Sequence, residues 1–280
     1  MEQARPQSAS NILMTAVLFV LALLFISPIL IVFMNSFKGR FFISDQPFRF
    51  PNPDTFVGME NYTEGMVKTG FLNAFGLSLF ITVSSVAVIV FLTSMTAWYI
   101  TRVKTKFTGL LYYMFVFSMI VPFQMVMFTM TKIANMLHLD NPLGIIVIYL
   151  GFGAGLSVFL FSGFVKSIPF EIEEAGMIDG YSPPQMFFRV VLPLLKPIAI
   201  TVAILNVMWI WNDYLLPLLV IGSEYKTIPI AIQYLKGGYG SIDMGAMMAM
   251  LVLAIVPVII FYLFCQRYII EGVVAGAVKG

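Results

Sequence analysis

Six long apolar segments constrain this chain more than any other feature of its sequence. A membrane-spanning helix needs about 20 consecutive, mostly apolar residues, and each segment approaches or exceeds that length. The segments are residues 12–33, 71–100, 110–130, 143–164, 198–221 and 247–265. Across all 280 residues, 60% are hydrophobic and 11% are charged, and the mean hydropathy is +0.93. Because this leaves too little charge to cover a soluble surface, the sequence predicts an all-α integral membrane protein, with six transmembrane helices in one domain that spans residues 1–280.

The first apolar run, from Ile12 to Phe33, is expected to be a retained membrane helix. It exceeds the roughly 7–15 residues of a signal-peptide core. The positions of lysine and arginine set the orientation of such helices. With the N-terminus inside, Arg102, Lys104 and Lys106 fall in a tight cytoplasmic loop, and nine of the 16 basic residues lie inside. We therefore expect both termini on the cytoplasmic side.

Several classes of function find no support in the sequence. A formal net charge of +2 indicates no nucleic-acid partner. The pattern Gly-x-x-x-x-Gly-Lys-Ser/Thr is absent, so the chain has no P-loop for ATP. The single cysteine, Cys265, provides neither a disulfide framework nor a cysteine metal cluster, and the single histidine, His138, lies in a predicted loop.

Two other functions known for membrane proteins, a serine protease and a water channel, are also disfavoured. A membrane serine protease would need a histidine within the bilayer, and the sequence has no Gly-x-Ser-x-Gly. The tripeptide at residues 141–143, Asn-Pro-Leu, resembles half of the paired motif of water channels, but a second copy is missing. A turn at the start of the fourth apolar segment explains this tripeptide.

The polar segment 166–191, between the fourth and fifth apolar segments, carries the strongest local pattern. Three glutamates follow Pro169 closely, and carboxylates in the first turn of a helix are stabilised by the helix dipole. Asp179-Gly180 is a turn signal. A Ser-Pro-Pro-Gln run begins at Ser182 and supplies a capping serine, a first-turn proline and a capping-box glutamine. The sequence predicts a short helix, a sharp turn and a second helix, which from the residues alone could be an ordinary solvated surface motif.

The spacing within this segment resembles the EAA loop of bacterial ABC importer permeases, in which a short cytoplasmic coupling helix docks into a separate ATPase. The matching positions are Glu174, Ala175, Gly176, Gly180, Val190, Leu192 and Pro193. Gly176 departs from the pattern, because the family usually has alanine there. Glycine weakens a helix by about 1 kcal/mol relative to alanine, so this departure predicts a less rigid short helix.

The resemblance extends over nearly the whole chain, to the smaller permease of carbohydrate ABC importers of the maltose type. Further similar segments are residues 35–38, 60–62, 211–215, 266–268 and 275–280. The resemblance implies the type I ABC importer permease fold, with the coupling helix within residues 171–193. It also implies a multi-pass protein of the bacterial inner, or plasma, membrane, with no enzymatic activity of its own.

The resemblance further implies a set of partners and contacts. The partners would be two ATP-binding subunits that hold ATP and Mg²⁺, a second homologous permease, an extracytoplasmic solute-binding protein and a sugar, with no cofactor in this chain. Residues expected to couple to the ATPase are Glu171, Glu174, Ala175, Gly176, Asp179, Gly180, Leu192 and Pro193. Tail residues expected to reach the ATPase pair are Ala275, Gly276 and Lys279.

Polar and aromatic residues in the fifth apolar segment are candidates for the translocation path. They are Asn206, Trp209, Trp211, Asn212, Asp213 and Tyr214. Intramembrane ionisable residues usually line a cavity or meet a partner, and the aromatic rings could stack on a sugar. The alternatives are a hydrogen bond between helices or a position near the outer interface for Asp213, and an interfacial aromatic belt for the rings. An ion-coupled secondary transporter of a small polar solute is the closest rival function, with Asp213 as its one coupling carboxylate.

Overall fold

The computed structural model describes residues 9–222, 224–235 and 242–277, without the side chains of residues 9, 10, 12 and 269–277. These residues are mostly helical, and no β-strand occurs among them. The helices are α1 (Ala9–Asn35), α2 (Arg40–Asp45), α3 (Glu60–Thr69), α4 (Phe71–Arg102), α5 (Lys106–Ser118), α6 (Phe123–Met136), α7 (Gly144–Val165), α8 (Phe170–Ile178), α9 (Pro183–Met186), α10 (Leu192–Leu194), α11 (Lys196–Asn212), α12 (Leu215–Val220), α13 (Ile228–Gln233) and α14 (Met244–Ala277). A π-helical turn, Phe187–Val191, joins α9 to α10.

Four helical segments among the described residues are long and apolar enough to cross a membrane. They are Leu13–Asn35, Phe71–Arg102, Gly144–Val165 and Met244–Tyr268. Two bent pairs also qualify, Lys106–Ser118 with Phe123–Met136 at 108°, and Pro183–Leu194 with Lys196–Asn212 at 76°. The predicted count of six spans is therefore reached only if each bent pair is one span.

The third and fifth spans, which the sequence predicts as continuous, are both interrupted in the structure, and the 76° bend of the second pair lies at Leu195, before the predicted fifth span begins. The predicted span 110–130 is interrupted between α5 and α6, where Pro122 precedes α6 with φ −63° and ψ 138°. Proline lacks an N–H and disfavours the helical conformation in the residue before it. The predicted span 198–221 is interrupted at Asp213, whose ψ of 124° is extended. Hydropathy cannot register such breaks, because the residues around them remain apolar.

The chain divides into two compact units, and the first comprises residues 1–71 and 232–256. In its described part, two of the sequence segments that resemble the permease family meet. The Asn61 amide donates to the carbonyls of Ser36 and Lys38, each at 2.8 Å, and Tyr62 Oη lies 2.7 Å from Ser36 Oγ. The Lys38 ammonium donates to the Gln46 carbonyl at 2.7 Å, and burial lowers its pKa. These polar bonds fix the chain that leaves α1 against α3.

Replacing Asn61 by alanine is expected to lower the free energy of unfolding by about 1–3 kcal/mol, because two buried carbonyls lose their donor. Thr63→Ala on the same helix is the matched control, since Thr63 is exposed and its hydroxyl donates to the Met59 and Glu60 carbonyls of the preceding turn. Thermal unfolding of the detergent-purified variants measures the difference. Equal melting of the two variants would show that the Asn61 bonds contribute nothing.

The second unit comprises residues 72–231 and 257–280 and contains the predicted coupling and translocation residues that the structure describes. One buried cluster joins α4 and α7 to the segment after α8, through Ala97, Phe161, Phe187 and Val191. A second cluster joins α4, α7, α11 and α12 through buried aliphatic side chains and Tyr149. Helices α4 and α7 therefore form the scaffold that supports both the predicted coupling segment and the predicted translocation residues.

Candidate functional site

Helix α8 has one buried face and one exposed face. Glu173 and Gly176 are buried, and Glu173 is only 1% exposed. The opposite surface, here called the outer face, is formed by Glu171, Glu174, Ala175 and Ile178, all of them exposed. Their spacing of i, i+3, i+4 and i+7 places them along one stripe of the helix. Ile178 is 86% exposed, so the outer face combines two carboxylates with an apolar side chain that no described residue covers.

Glu173 ties the first turns of α8 to the last turn of α4. Arg102 Nε and Nη2 each lie 2.7 Å from Glu173 Oε1, and Trp98 Nε1 donates to Oε2 at 3.0 Å. Arg102 Nη2 also donates to the Ile168 carbonyl at 3.0 Å. A buried carboxylate is tolerated when it is paired and hydrogen-bonded, and both oxygens of Glu173 are. We call the contacts among Glu173, Arg102 and Trp98 the clamp.

The sequence pattern does not mark Glu173 as a site residue, although it marks Glu171 and Glu174 beside it. The signal was present in the helical periodicity, because Glu173 and Gly176 share a face that the other acids of α8 do not. The partners of Glu173 lie 71 and 75 residues away in the chain. No local pattern predicts which residues at the end of α4 meet it.

Gly176 and Gly180 shape the connection between α8 and α9. A Cβ at position 176 would lie 2.6 Å from Met186 Cε and 3.3 Å from Tyr181 Cδ2, so glycine permits the close approach of α9. The atom in the way is the tip of the flexible Met186 side chain, so alanine at position 176 would require that side chain to shift. Gly180 has a φ of +81°, which glycine adopts without strain, and it makes the turn that the sequence predicts.

The part of the predicted coupling segment that follows Gly180 is packed into the protein and is not a free surface element. The backbone N–H of Ser182 donates to Gln185 Oε1 at 3.0 Å, as the capping-box pattern predicts. Met186, Phe187 and Val191 are each at most 2% exposed within the first cluster of the second unit. Pro193 cannot donate to the preceding turn, and the π-helical turn lies directly before α10. The segment is therefore anchored to α4 and α7 by these packed side chains as well as by the clamp.

The predicted coupling residues fall into two groups. Those with exposed positions are Glu171, Glu174, Ala175, Asp179, Gly180 and Pro193. Gly176 is buried against α9, and Leu192 is partly buried beside the first cluster. Of the tail residues, Ala275 and Gly276 lie at the end of α14, where side chains are not described, and Lys279 lies outside the described residues.

Two of the predicted path residues, Asn206 and Trp209, line one cavity of about 290 Å³. The same cavity is bounded by Ser118 and Met119, at the break between α5 and α6, and by Phe152 of α7. The Asn206 amide donates to the Val202 carbonyl at 2.8 Å and lies 3.3 Å from Ser157 Oγ. Trp209 meets Tyr149 edge-to-face, with ring centroids 5.4 Å apart. The cavity thus offers an apolar wall, an aromatic face and a few polar atoms, as small-molecule sites do.

Asp213 has a structural role that the sequence leaves open. Its Oδ1 accepts hydrogen bonds from the N–H groups of Leu215 and Leu216, at 3.1 and 3.3 Å, and so caps α12. Its Oδ2 accepts a hydrogen bond from Tyr149 Oη at 3.1 Å. The alternative of a hydrogen bond between helices is therefore the one that the geometry favours.

The remaining path residues do not line the cavity beside Asn206. Trp211 is 7% exposed and packs edge-to-face on Phe75, with centroids 5.8 Å apart. Asn212 is exposed, and its amide donates to the Met208 carbonyl at 2.7 Å. Tyr214 is half-buried at the start of α12. Only part of the predicted group is thus brought together.

Comparison with known proteins gives consistent matches. Residues 89–274 match the protein family described as "Binding-protein-dependent transport system inner membrane component". A probable starch degradation products transport system permease of Thermoanaerobacterium thermosulfurigenes is 40% identical over 95% of this chain and 96% of its own length. A multiple sugar-binding transport system permease of Streptococcus mutans is 33% identical over 92% of this chain and 93% of its own.

Among solved structures, the fold resembles a chain of a bacterial ABC transporter involved in the import of the acidic polysaccharide alginate. The TM-score is 0.77 at 22% identity, and the match covers 95% of this chain and 99% of that one. At this identity the likeness establishes the fold, and the fold is that of an ABC importer permease. The predicted all-α fold of an ABC importer permease is therefore confirmed, while the count of six spans and the coupling role of α8 stay predictions.

Proposed function

Because the chain belongs to the family of binding-protein-dependent transport system inner membrane components, we propose that it is a permease subunit of an ATP-driven carbohydrate importer. The chain is a non-catalytic component of the inner membrane. The relatives named above are permeases for starch degradation products and for multiple sugars, which supports a carbohydrate as the substrate class. In this proposal the chain forms half of the translocation pathway as one domain, residues 1–280, with six spans.

The observation that carries the coupling role is the geometry of α8. Its outer face presents Glu174 and Ile178 without cover from any described residue, while the clamp fixes its inner face to α4. A helix that is held on one side and bare on the other suits docking into a second protein. The proposed partner is a pair of ATPase subunits, which would bind ATP and Mg²⁺ and contact the outer face and the tail residues Ala275, Gly276 and Lys279.

The remaining parts of the proposed assembly follow from the family. A second, homologous permease would complete the pathway, and an extracytoplasmic solute-binding protein would deliver the sugar. The loop that contains α8 would be cytoplasmic, with both termini on the same side. The sugar path would pass Asn206 and Trp209, the two predicted residues that line the 290 Å³ cavity.

The rival, an ion-coupled secondary transporter, gains no support from the structure. It would need carboxylates near the bilayer centre that bind and release the coupling ion. Asp213 is instead engaged by two N–H groups of α12 and by Tyr149.

Purification of this chain from its own membranes in a mild detergent tests the proposal. We expect a P-loop ATPase and a second multi-span protein to be recovered with it in stoichiometric amounts. Asp54→Lys, an exposed charge reversal far from α8 in sequence, should leave this recovery unchanged and serves as the control for variants of the outer face. A chain recovered alone or as a homo-oligomer would contradict the importer assignment.

A further inference from the structure

A basic cavity of about 550 Å³ lies where three helices end or begin. It is lined by residues at the end of α4, the start of α5 and the end of α7, and its volume is within the range of small-molecule sites. The residues that characterise it are Thr101, Lys104, Lys106, Tyr112, Ser162 and Lys166. None of these belongs to the outer face of α8, to the clamp or to the candidate sugar path.

The charge of this cavity is uncompensated within the described part of the chain. No described aspartate or glutamate lines it, and the ion pairs found among the described residues involve other basic residues. The Lys166 ammonium lies 5.3 Å from the centroid of the Tyr112 ring, a contact that directs it to the cavity wall. All three lysines are exposed and line one space without a counter-ion, so an anion placed among them would be stabilised.

Two hydroxyl groups on the same wall lack hydrogen-bond partners among the described residues. They are Ser162 Oγ, on a residue that is 1% exposed, and Thr101 Oγ1. Elsewhere in α4, Ser94 and Thr96 donate to carbonyls three or four residues earlier, as hydroxyls in membrane helices usually do, whereas Ser85 Oγ, away from the cavity, also lacks a partner among the described residues. A buried hydroxyl without a partner is costly. Both oxygens are themselves buried, and rotation about χ1 would let each hydroxyl donate to an anion in the cavity.

The position of the cavity indicates where the anion comes from. Lys104 and Lys106 follow the long apolar helix α4, and Lys166 directly follows α7, so the lysines mark the boundary of the membrane. Arg102 of the clamp directly follows Thr101, which lines the cavity. The cavity therefore lies on the membrane face that carries α8. Basic pockets between membrane helices on that side are suited to lipid headgroups.

We propose that this cavity binds the phosphate of an anionic phospholipid from the leaflet next to α8. Lys104, Lys106 and Lys166 would neutralise the phosphate, and Ser162 and Thr101 would donate to its oxygens. The proposal goes beyond the importer function. It depends on that function only to identify the leaflet next to α8 as the cytoplasmic one. A bound headgroup would join the ends of α4, α5 and α7, next to the clamp.

Thermal unfolding of the detergent-purified assembly, titrated with short-chain phosphatidylglycerol or phosphatidylcholine, tests the proposal. We expect phosphatidylglycerol to raise the melting temperature, with an apparent affinity at least about tenfold above that of phosphatidylcholine. The triple variant Lys104→Gln, Lys106→Gln, Lys166→Gln should lose this preference. Lys196→Gln, an exposed lysine outside the cavity, should retain it.

Ser162→Ala provides a second variant that preserves every charge. Without lipid it should melt at or above the wild-type temperature, because it removes a hydroxyl that lacks a partner, while its response to phosphatidylglycerol should be weaker. An equal response of wild type and both cavity variants would overturn the site. Inorganic phosphate that reproduces the full effect of the lipid would overturn the lipid assignment. Because the readout needs no ATP hydrolysis, failure here is distinguishable from failure of the importer assignment.

Discussion

Replacing Glu173 by leucine is expected to lower the free energy of unfolding by about 3–5 kcal/mol and to abolish coupled sugar uptake. The substitution removes the carboxylate that Arg102 and Trp98 contact. It leaves Arg102, whose side chain is 17% exposed, without its counter-ion. Thermal unfolding of the purified protein and uptake by cells that carry the complete importer measure the two effects.

A second variant separates the clamp from a general loss of folding. Replacing both partners, with Arg102→Met and Glu173→Leu, removes the charges together, and such replacements are often neutral for stability. We expect the double variant to melt close to the wild type. Arg189→Leu is the control, since Arg189 is exposed and its guanidinium stacks on Tyr181, 5.7 Å from the ring centroid. If Glu173→Leu melts like Arg189→Leu, the clamp does not hold α8.

Replacing Glu174 by lysine is expected to reduce uptake to less than about a tenth of wild type, with normal insertion and stability. Glu174 is exposed on the outer face, so the change should cost the isolated chain little. In an interface, reversing one charge of a pair costs several kcal/mol, and the ATPase should therefore be lost on purification. Full uptake by Glu174→Lys would remove Glu174 from the docking surface.

Ile178 tests the apolar part of the same face. Ile178→Ser should weaken recovery of the ATPase, because burying such a side chain at an interface contributes about 1.5–3 kcal/mol. Ile178→Leu keeps the apolar area and should behave as wild type. Equal recovery with both variants would restrict the docking contact to the carboxylates of the outer face.

The sequence predicts the membrane helices well where apolar runs are unbroken. The run 71–100 corresponds to α4 and the run 143–164 to α7, with ends that differ by one or two residues. The interruptions at Pro122 and Asp213 are not apparent from hydropathy, because a broken helix and a continuous one bury the same apolar residues. The turn at Gly180 and the cap at Ser182 follow from local chemistry and are predicted correctly.

Only those features of the candidate site that depend on neighbouring residues in the sequence can be predicted from it. The acids and small residues of α8 were identified by their spacing, but burial separates Glu173 from Glu174, its neighbour in sequence. Similarly, Trp209 lines the cavity beside Asn206, whereas Trp211 packs on Phe75. These distinctions depend on which distant helix each side chain meets, and a single sequence contains no record of those contacts.

Helix α4 runs from the clamp to the opposite end of its unit without an internal proline. At 1.5 Å per residue, the chain from Arg102 back to Ser78 spans about 36 Å, more than the roughly 30 Å of the hydrocarbon core. At that far end, Ser78 Oγ accepts a hydrogen bond from the Ile228 N–H at 2.9 Å. An unbroken helix resists bending because every turn keeps its hydrogen bonds. We therefore expect α4 to move as a rigid rod, so that a pull applied to α8 near Arg102 would displace the chain around Ile228 at the other end of the helix.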